Sequence, residues 1–302
     1  MKFAIPDALK ADVPQTMWGR VLAATPVVMT VVATALAGLA SSEMTRAQYS
    51  RSLAAQLQSK AGDQWNFFQA KRLRSALQRN TLDILQATTD LHPLEPAILE
   101  QAGITPQSPA GPPILAALQK GEVPTVAAAP ITDRNMTAAL EAVADQKLDA
   151  EVTVLLAPVK DGALAETLRI ARERAQIFEA AIQPVNQAID QLEKRLASGD
   201  KSLHRDFTAA RLRYTAQRYD AEARLNQAIA NVYELQVRKS NIEAERHHKR
   251  SQKFFYGMLA AQMAVIMATF SLAARQRNLL WSLAAAAGAS AIAFAVYVFL
   301  RV

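Results

Sequence analysis

Phe254–Ala274 reads FFYGMLAAQMAVIMATFSLAA, Leu279–Leu300 reads LLWSLAAAAGASAIAFAVYVFL, and neither contains an Asp, Glu, Lys or Arg. Only Arg275-Gln276-Arg277-Asn278 lies between them. A helix rises ~1.5 Å per residue, so a run of about 20 residues crosses the ~30 Å hydrocarbon core of a bilayer. A third run of the same kind, Val21–Ala40, reads VLAATPVVMTVVATALAGLA. These three runs set the expected fold class: a mainly α membrane protein with three transmembrane helices. A wholly soluble chain is excluded. The first run is longer than the 7–15 residues of a signal-peptide core, so it reads as a retained anchor.

The rest of the chain is charged. Of 302 residues, 51% are hydrophobic, yet there are 34 Lys and Arg against 27 Asp and Glu, a net charge of +7. The excess is local, because Lys201–Lys253 holds twelve basic against six acidic residues. Cysteine is absent, which removes disulfides, thiolate zinc sites and a Cys nucleophile. Ten glycines are scattered singly with no phosphate-binding loop, and His92 and His204 stand alone in the sequence. No catalytic residue, cofactor or metal is expected, and the chain reads as non-enzymatic.

The charge and proline patterns divide the chain into an N-terminal tail (1–20), a first membrane helix (21–40) and an ascending helix (41–90). A Pro-rich cap (91–160) and descending helices (161–253) follow. The second membrane helix (254–274), a basic loop (275–278) and the third membrane helix (279–300) complete it. In the ascending helix Leu53, Leu57, Trp65, Phe68, Leu73, Leu77, Ile84 and Leu85 recur mostly at spacings of three or four. Nine of the thirteen prolines fall between Leu91 and Lys160, so no long helix crosses the cap. Within it a helix is expected at Pro113–Lys120, stopped by Gly121. A strand at Val123–Ala129, a helix from Asn135 to Leu148 and a strand at Glu151–Val159 follow, making a small α/β cap of βαβ type.

Helix is expected again over Ala163–Ser198 and, after Gly199-Asp200, from Lys201 into the second membrane helix, with Pro184 a kink or boundary. Phe207, Tyr214, Ala221, Ala228, Leu235 and Ile242 recur every seven residues, accompanied by Arg211, Arg218, Leu225, Val232 and Lys239. This is a partial coiled-coil seam. The expected architecture is a long antiparallel helical hairpin, coiled-coil-like, bearing the cap.

Asp63-Gln64-Trp65-Asn66-Phe67-Phe68-Gln69-Ala70-Lys71 sets three large aromatics within four residues. Trp65 and Phe68 share a helix face and Phe67 does not. The cluster reads as a packing anchor between helices and subunits, with a ligand or lipid pocket the alternative. Here the chain resembles an uncharacterised family of bacterial three-helix membrane proteins, a domain of unknown function. The resemblance rests on Asp63-Gln64-Trp65, on Gln69-Ala70-Lys71, and on Tyr219-Asp220-Ala221-Glu222-Ala223 leading into a C-terminal membrane hairpin. It covers about half the chain. Phe68 departs from the family's usual tyrosine, the Pro-rich cap falls outside, and the family implies no activity.

Arg246-His247-His248-Lys249-Arg250-Ser251-Gln252-Lys253 directly precedes a membrane helix. Arg246, Lys249, Arg250 and Lys253 are therefore the expected contacts to anionic lipid headgroups. Adjacent histidines point about 100° apart on a helix and make a poor metal pair. Nothing besides charge suggests nucleic acid, and none is expected as a partner. Small residues at four-residue spacing (Thr30, Thr34, Gly38; Ala260, Ala264, Ala268; Ala284, Gly288) suit close helix packing within or between subunits.

Seven basic residues flank the membrane on the side of the soluble part against five on the other. By a narrow margin this puts the soluble part in the cytoplasm, with the periplasm the alternative. The functional expectation is a self-associating scaffold or interaction protein of the bacterial inner membrane, an accessory subunit of a membrane complex. Its contact residues are Trp65, Phe67, Phe68, Leu225, Val232 and Leu235. The alternative is a pore-like homo-oligomer gated by its soluble helices.

Overall fold

The computed structural model describes residues 17–101, 107, 111–127, 131, 133–196, 200–273 and 277–301. They form α1 (Met17–Thr88), α2 (Pro96–Gln101), α3 (Gly111–Lys120), α4 (Arg134–Ala144), α5 (Asp149–Leu156), α6 (Asp161–Leu196), α7 (Lys201–Ala273) and α8 (Arg277–Arg301). No strand occurs among the described residues. Helices α1, α7 and α8 are long and apolar enough to cross a membrane. By its contacts the chain divides into two units, Met1–Leu53 with Ser240–Val302, and Ala54–Lys239. The tail up to residue 16 and residues 274–276 of the basic loop lie outside the described residues.

The first unit is a three-helix core of small side chains. On α1, Met29, Ala33, Leu36 and Ala40 are buried, as are Phe254, Ala261, Ala264 and Ala268 of α7 and Ala284 and Ala291 of α8. A Cβ on Gly257 of α7 would lie 3.3 Å from Leu36 Cδ1 and 3.6 Å from the Ala291 carbonyl, so a side chain of α1 and the backbone of α8 both close on it. Ser251 Oγ of α7 donates to the Ala40 carbonyl at 2.7 Å. Close packing of small side chains and hydrogen bonds of this kind are what join helices as apolar as these in a bilayer, whose tails offer no hydrophobic gain from association. Ala264, Ala268 and Ala284 of the expected small-residue faces are therefore buried. Thr30, Thr34 and Gly38 are exposed instead, with both hydroxyls bonded back to carbonyls of α1 itself.

In the second unit α1 runs antiparallel to α7, and α6 packs beside both. Ala61 of α1 meets Ile229 and Tyr233 of α7, against Leu168 and Ala171 of α6. Leu82 of α1 meets Ala209 and Leu212. Phe207 and Tyr214 face elsewhere: they join Val185, Ile189 and Leu192 of α6 and Leu94, Leu99, Ile114 and Leu118 of the cap. Alanines explain the close approach. Ala209, Ala216, Ala223 and Ala230 of α7 recur every seven residues and are buried. Ser75 Oγ of α1 reaches the Ala216 carbonyl at 2.9 Å.

The cap is helical, which corrects the expected α/β arrangement. Val152, Leu156 and Val159 are buried while Val154 is 73% exposed. Burial at intervals of four and three is the period of a helix; alternation would have buried Val154. Asp149 and Glu151 in the first turn of α5 complement its dipole, and tertiary burial overrides the strand preference of the valines. Residues 123–127 are irregular. Pro124 lacks the N–H a ladder needs, and no neighbouring strand exists among the described residues to pair with.

The expected punctuation is otherwise present. Gly121 ends α3 at φ +73°, with its N–H bonded to the Ala117 carbonyl and the Glu122 N–H to Ala116, an αL-type stop. Asp133 caps α4 by accepting from the N–H groups of Asn135 and Met136, and Asp200 caps α7 through Ser202. Helix α6 continues through Pro184.

Candidate interaction surfaces

Two sets of polar side chains stand at helix contacts, one in each unit. In the second unit the segments Trp65–Arg79 of α1 and Arg218–Glu234 of α7 meet along a charged seam. The Trp65 indole donates to Glu234 Oε1 at 3.2 Å, and its ring meets Phe68 edge-on, 5.4 Å between centroids. Lys71 pairs with Glu222. Arg72 donates to Asp220 Oδ1 at 2.8 Å, while Arg79 and Arg224 reach Oδ2 at 3.6 and 3.0 Å. The Tyr219 ring lies under three cations, Arg218 at 4.7 Å, Lys71 at 5.2 Å and Arg74 at 5.8 Å, where the negative ring face attracts charge.

Asp220 is 5% exposed. Burial pushes its carboxyl up, but the hydrogen bond from Arg72 and the charges of Arg224 and Arg79 outweigh it and hold the group below the usual carboxylate range. Tyr214, one and a half turns away, is pushed up to about 12 by burial; its hydroxyl donates to Asn186 Oδ1 of α6 at 3.1 Å.

This seam brings together the sequence segments that carry the family resemblance. Residues 63–71 and 219–223 are some 150 positions apart and pair directly. Of the other expected contact residues, Phe67 is 54% exposed while Val232 and Leu235 are buried inside this chain. Leu225 and Val232 line an apolar groove of about 290 Å³ with Ile131, Leu140 and Ile170.

In the first unit the basic run meets an acid of α1 that lies 204 positions away in the sequence. Glu43 of α1 is 8% exposed and lies 2.6 Å from His247 Nδ1, 3.6 Å from Arg46 and 3.9 Å from Arg250. Lys249 pairs with Glu245 at 3.3 Å, and Lys253 Nζ sits 4.8 Å above the Tyr297 ring of α8. The four cations thus differ. Lys249 is 62% exposed, whereas Arg250 is 23% exposed and committed to Glu43. Beside them a groove of about 570 Å³ is lined by Ala37, Met44, His248, Phe255 and Tyr256. The only advance signal for Glu43 was its place just beyond the first charge-free run.

The cap also holds a polar cleft of about 380 Å³ lined by Gln86, Asp90, His92, Gln119, Asp206 and Arg213. Asp206 accepts from the His92 backbone N–H at 3.0 Å, so this carboxylate ties the α1–α2 connection to α7. Among the described residues no three His, Cys, Asp or Glu groups are placed to hold a metal ion.

Residues 18–103 match a family described as a domain of unknown function (DUF4337). The match contains the Asp63–Lys71 segment. No curated protein and no solved structure matches the chain.

Proposed function

We propose that this chain is a non-enzymatic, self-associating scaffold anchored in the bacterial inner membrane, an accessory subunit that holds a membrane complex together. The observation that carries this reading is the seam between α1 and α7. Lys71 and Arg72 are spent on Glu222 and Asp220, and Glu234 on the Trp65 indole, across two helices. Their chemistry serves rigidity and register. Anionic lipid headgroups are the second partner, met by Arg246, Lys249, Arg250 and Lys253 at the start of the second charge-free run.

Native mass spectrometry of the intact protein in mild detergent tests the reading. Oligomers are expected, and a monomer at every concentration overturns self-association. Reconstitution into planar bilayers tests the pore alternative: a folded oligomer without conductance is the expected result, and step-like currents would make it a channel. Pull-down of the native complex with protein identification tests the accessory role.

A further inference from the structure

The apolar residues of the ascending arm do not all turn inward. Ser75 and Leu82 mark the face of α1 packed on α7. On the opposite face Leu73, Leu77 and Ile84 are 63%, 54% and 58% exposed, and Asn66, Ala70 and Asn80 are exposed beside them. These six alternate at intervals of four and three, with Ala70, Leu77 and Ile84 in one seam position and Asn66, Leu73 and Asn80 in the other. That is the spacing of a two-stranded coiled coil.

Charge is segregated along the same helix. Lys71, Arg72 and Arg79 pair with acids of α7, and Arg74 lies over Tyr219. The six seam positions from Asn66 to Ile84 carry no formal charge; beside them Phe67, Gln69, Ala76 and Thr81 are neutral, Arg74 is drawn over Tyr219, and Asp83 is an exposed acid.

The geometry points to a second copy of this chain as the occupant, with α1 packed in parallel and in register against its own counterpart over residues 66–84. Three features select that occupant. The uncharged seam positions meet their own copies without like-charge repulsion. In-register pairing sets Asn66 against Asn66 and Asn80 against Asn80, polar against polar; slipping by one heptad sets each Asn opposite Leu or outside the seam. Two copies with the same topology in one membrane also leave it in the same chain direction, which a parallel pair requires. This inference rests on the proposed self-association and says where it occurs.

The chain has no cysteine, so single cysteines report cleanly. Leu73→Cys, Leu77→Cys, Asn80→Cys and Ile84→Cys are made in the full-length protein, with Ala76→Cys and Asp83→Cys beside the seam. Each is oxidised in native membranes. A parallel seam brings like positions within disulfide reach, so covalent homodimer is expected at the four seam positions, at least roughly fivefold above the two flanking ones. Cross-linking without that periodicity, or only to a different protein, overturns the seam.

Leu73→Glu with Leu77→Glu should weaken the dimer about tenfold or more in native mass spectrometry, because like charges would face each other. The thermal midpoint of the monomer should hold, since both side chains are exposed. An undiminished dimer overturns the inference. Native oligomers lacking the periodic cross-links overturn this seam while self-association stands, and monomer throughout overturns both.

Discussion

Arg72 of α1 donates to Asp220 of α7 at 2.8 Å across 148 residues of sequence, and it does so in the same layer where Lys71 meets Glu222. Two consecutive cations on one helix thereby read two acids on the other, which fixes how far α1 slides along α7. A one-turn slip would take Arg72 and Arg79 away from Asp220, almost fully buried, and leave it only Arg224 of its own helix.

Asp220→Asn should therefore destabilise the fold by about 1.5–3 kcal/mol at neutral pH, the range for a lost hydrogen bond to a charged group. The sign of its pH dependence follows. The folded carboxyl titrates below its unfolded value of ~3.9, so its contribution is fully present above that value. It disappears as pH falls through the lower folded value. Chemical denaturation in mild detergent should show the gap between wild type and Asp220→Asn closing in acid; a constant gap would refute the assignment.

At the close approach of α1 and α7, size should matter more than hydrogen bonding. Ser75→Ala removes the bond to the Ala216 carbonyl and is expected to cost about 1 kcal/mol. Ala216→Leu forces extra methylenes into a position 2% exposed and should cost about 1–3 kcal/mol through overpacking. Thermal unfolding of both variants ranks them.

Two glycines should respond with opposite sign. Gly121 holds φ +73°, and a Cβ there would lie 2.7 Å from Arg213 Cγ, so Gly121→Ala should destabilise by about 1–2 kcal/mol. Gly62 lies inside α1 with nothing within 4 Å of an added Cβ, and Gly62→Ala should stabilise by about 0.5–1 kcal/mol. Denaturation midpoints of the pair check this.

The basic run should bind lipid unevenly. A juxtamembrane cation is worth about 1 kcal/mol, or roughly fivefold in affinity. Lys249→Gln should lower retention of anionic lipid in nanodiscs by about that factor. Arg250→Gln should lower it less, because Arg250 is only 23% exposed beside the buried Glu43 whereas Lys249 is 62% exposed. Native mass spectrometry counting bound lipids distinguishes the two, and equal losses would show that Glu43 does not compete.

The ascending arm shows where periodicity stops being informative. Leu57, Trp65, Phe68, Leu73, Leu77 and Ile84 form one apolar series in the sequence, but they divide between two faces, Leu57, Trp65 and Phe68 inward and the other three outward. A run of threes and fours drifts around a helix, and a partner helix is needed to say where one face ends. The same holds on α7, where the line of Phe207 and Tyr214 meets α6 while the alanines beginning at Ala209 meet α1.

The sequence by itself determined the three apolar helices, the helix breaks at Gly121 and Asp200, and the basic run before the second apolar stretch. Each is local: hydrocarbon rejects charge residue by residue, a left-handed φ favours glycine, and a cap bonds its own next turn. Only the tertiary structure decided that Glu151–Leu156 is helix rather than strand, that Glu43 takes His247 and Arg250, and that Asp220 takes Arg72. Those outcomes depend on which surfaces lie opposite, and burial against a distant helix outweighs the weak local preference of valine for strand or of a charged side chain for water.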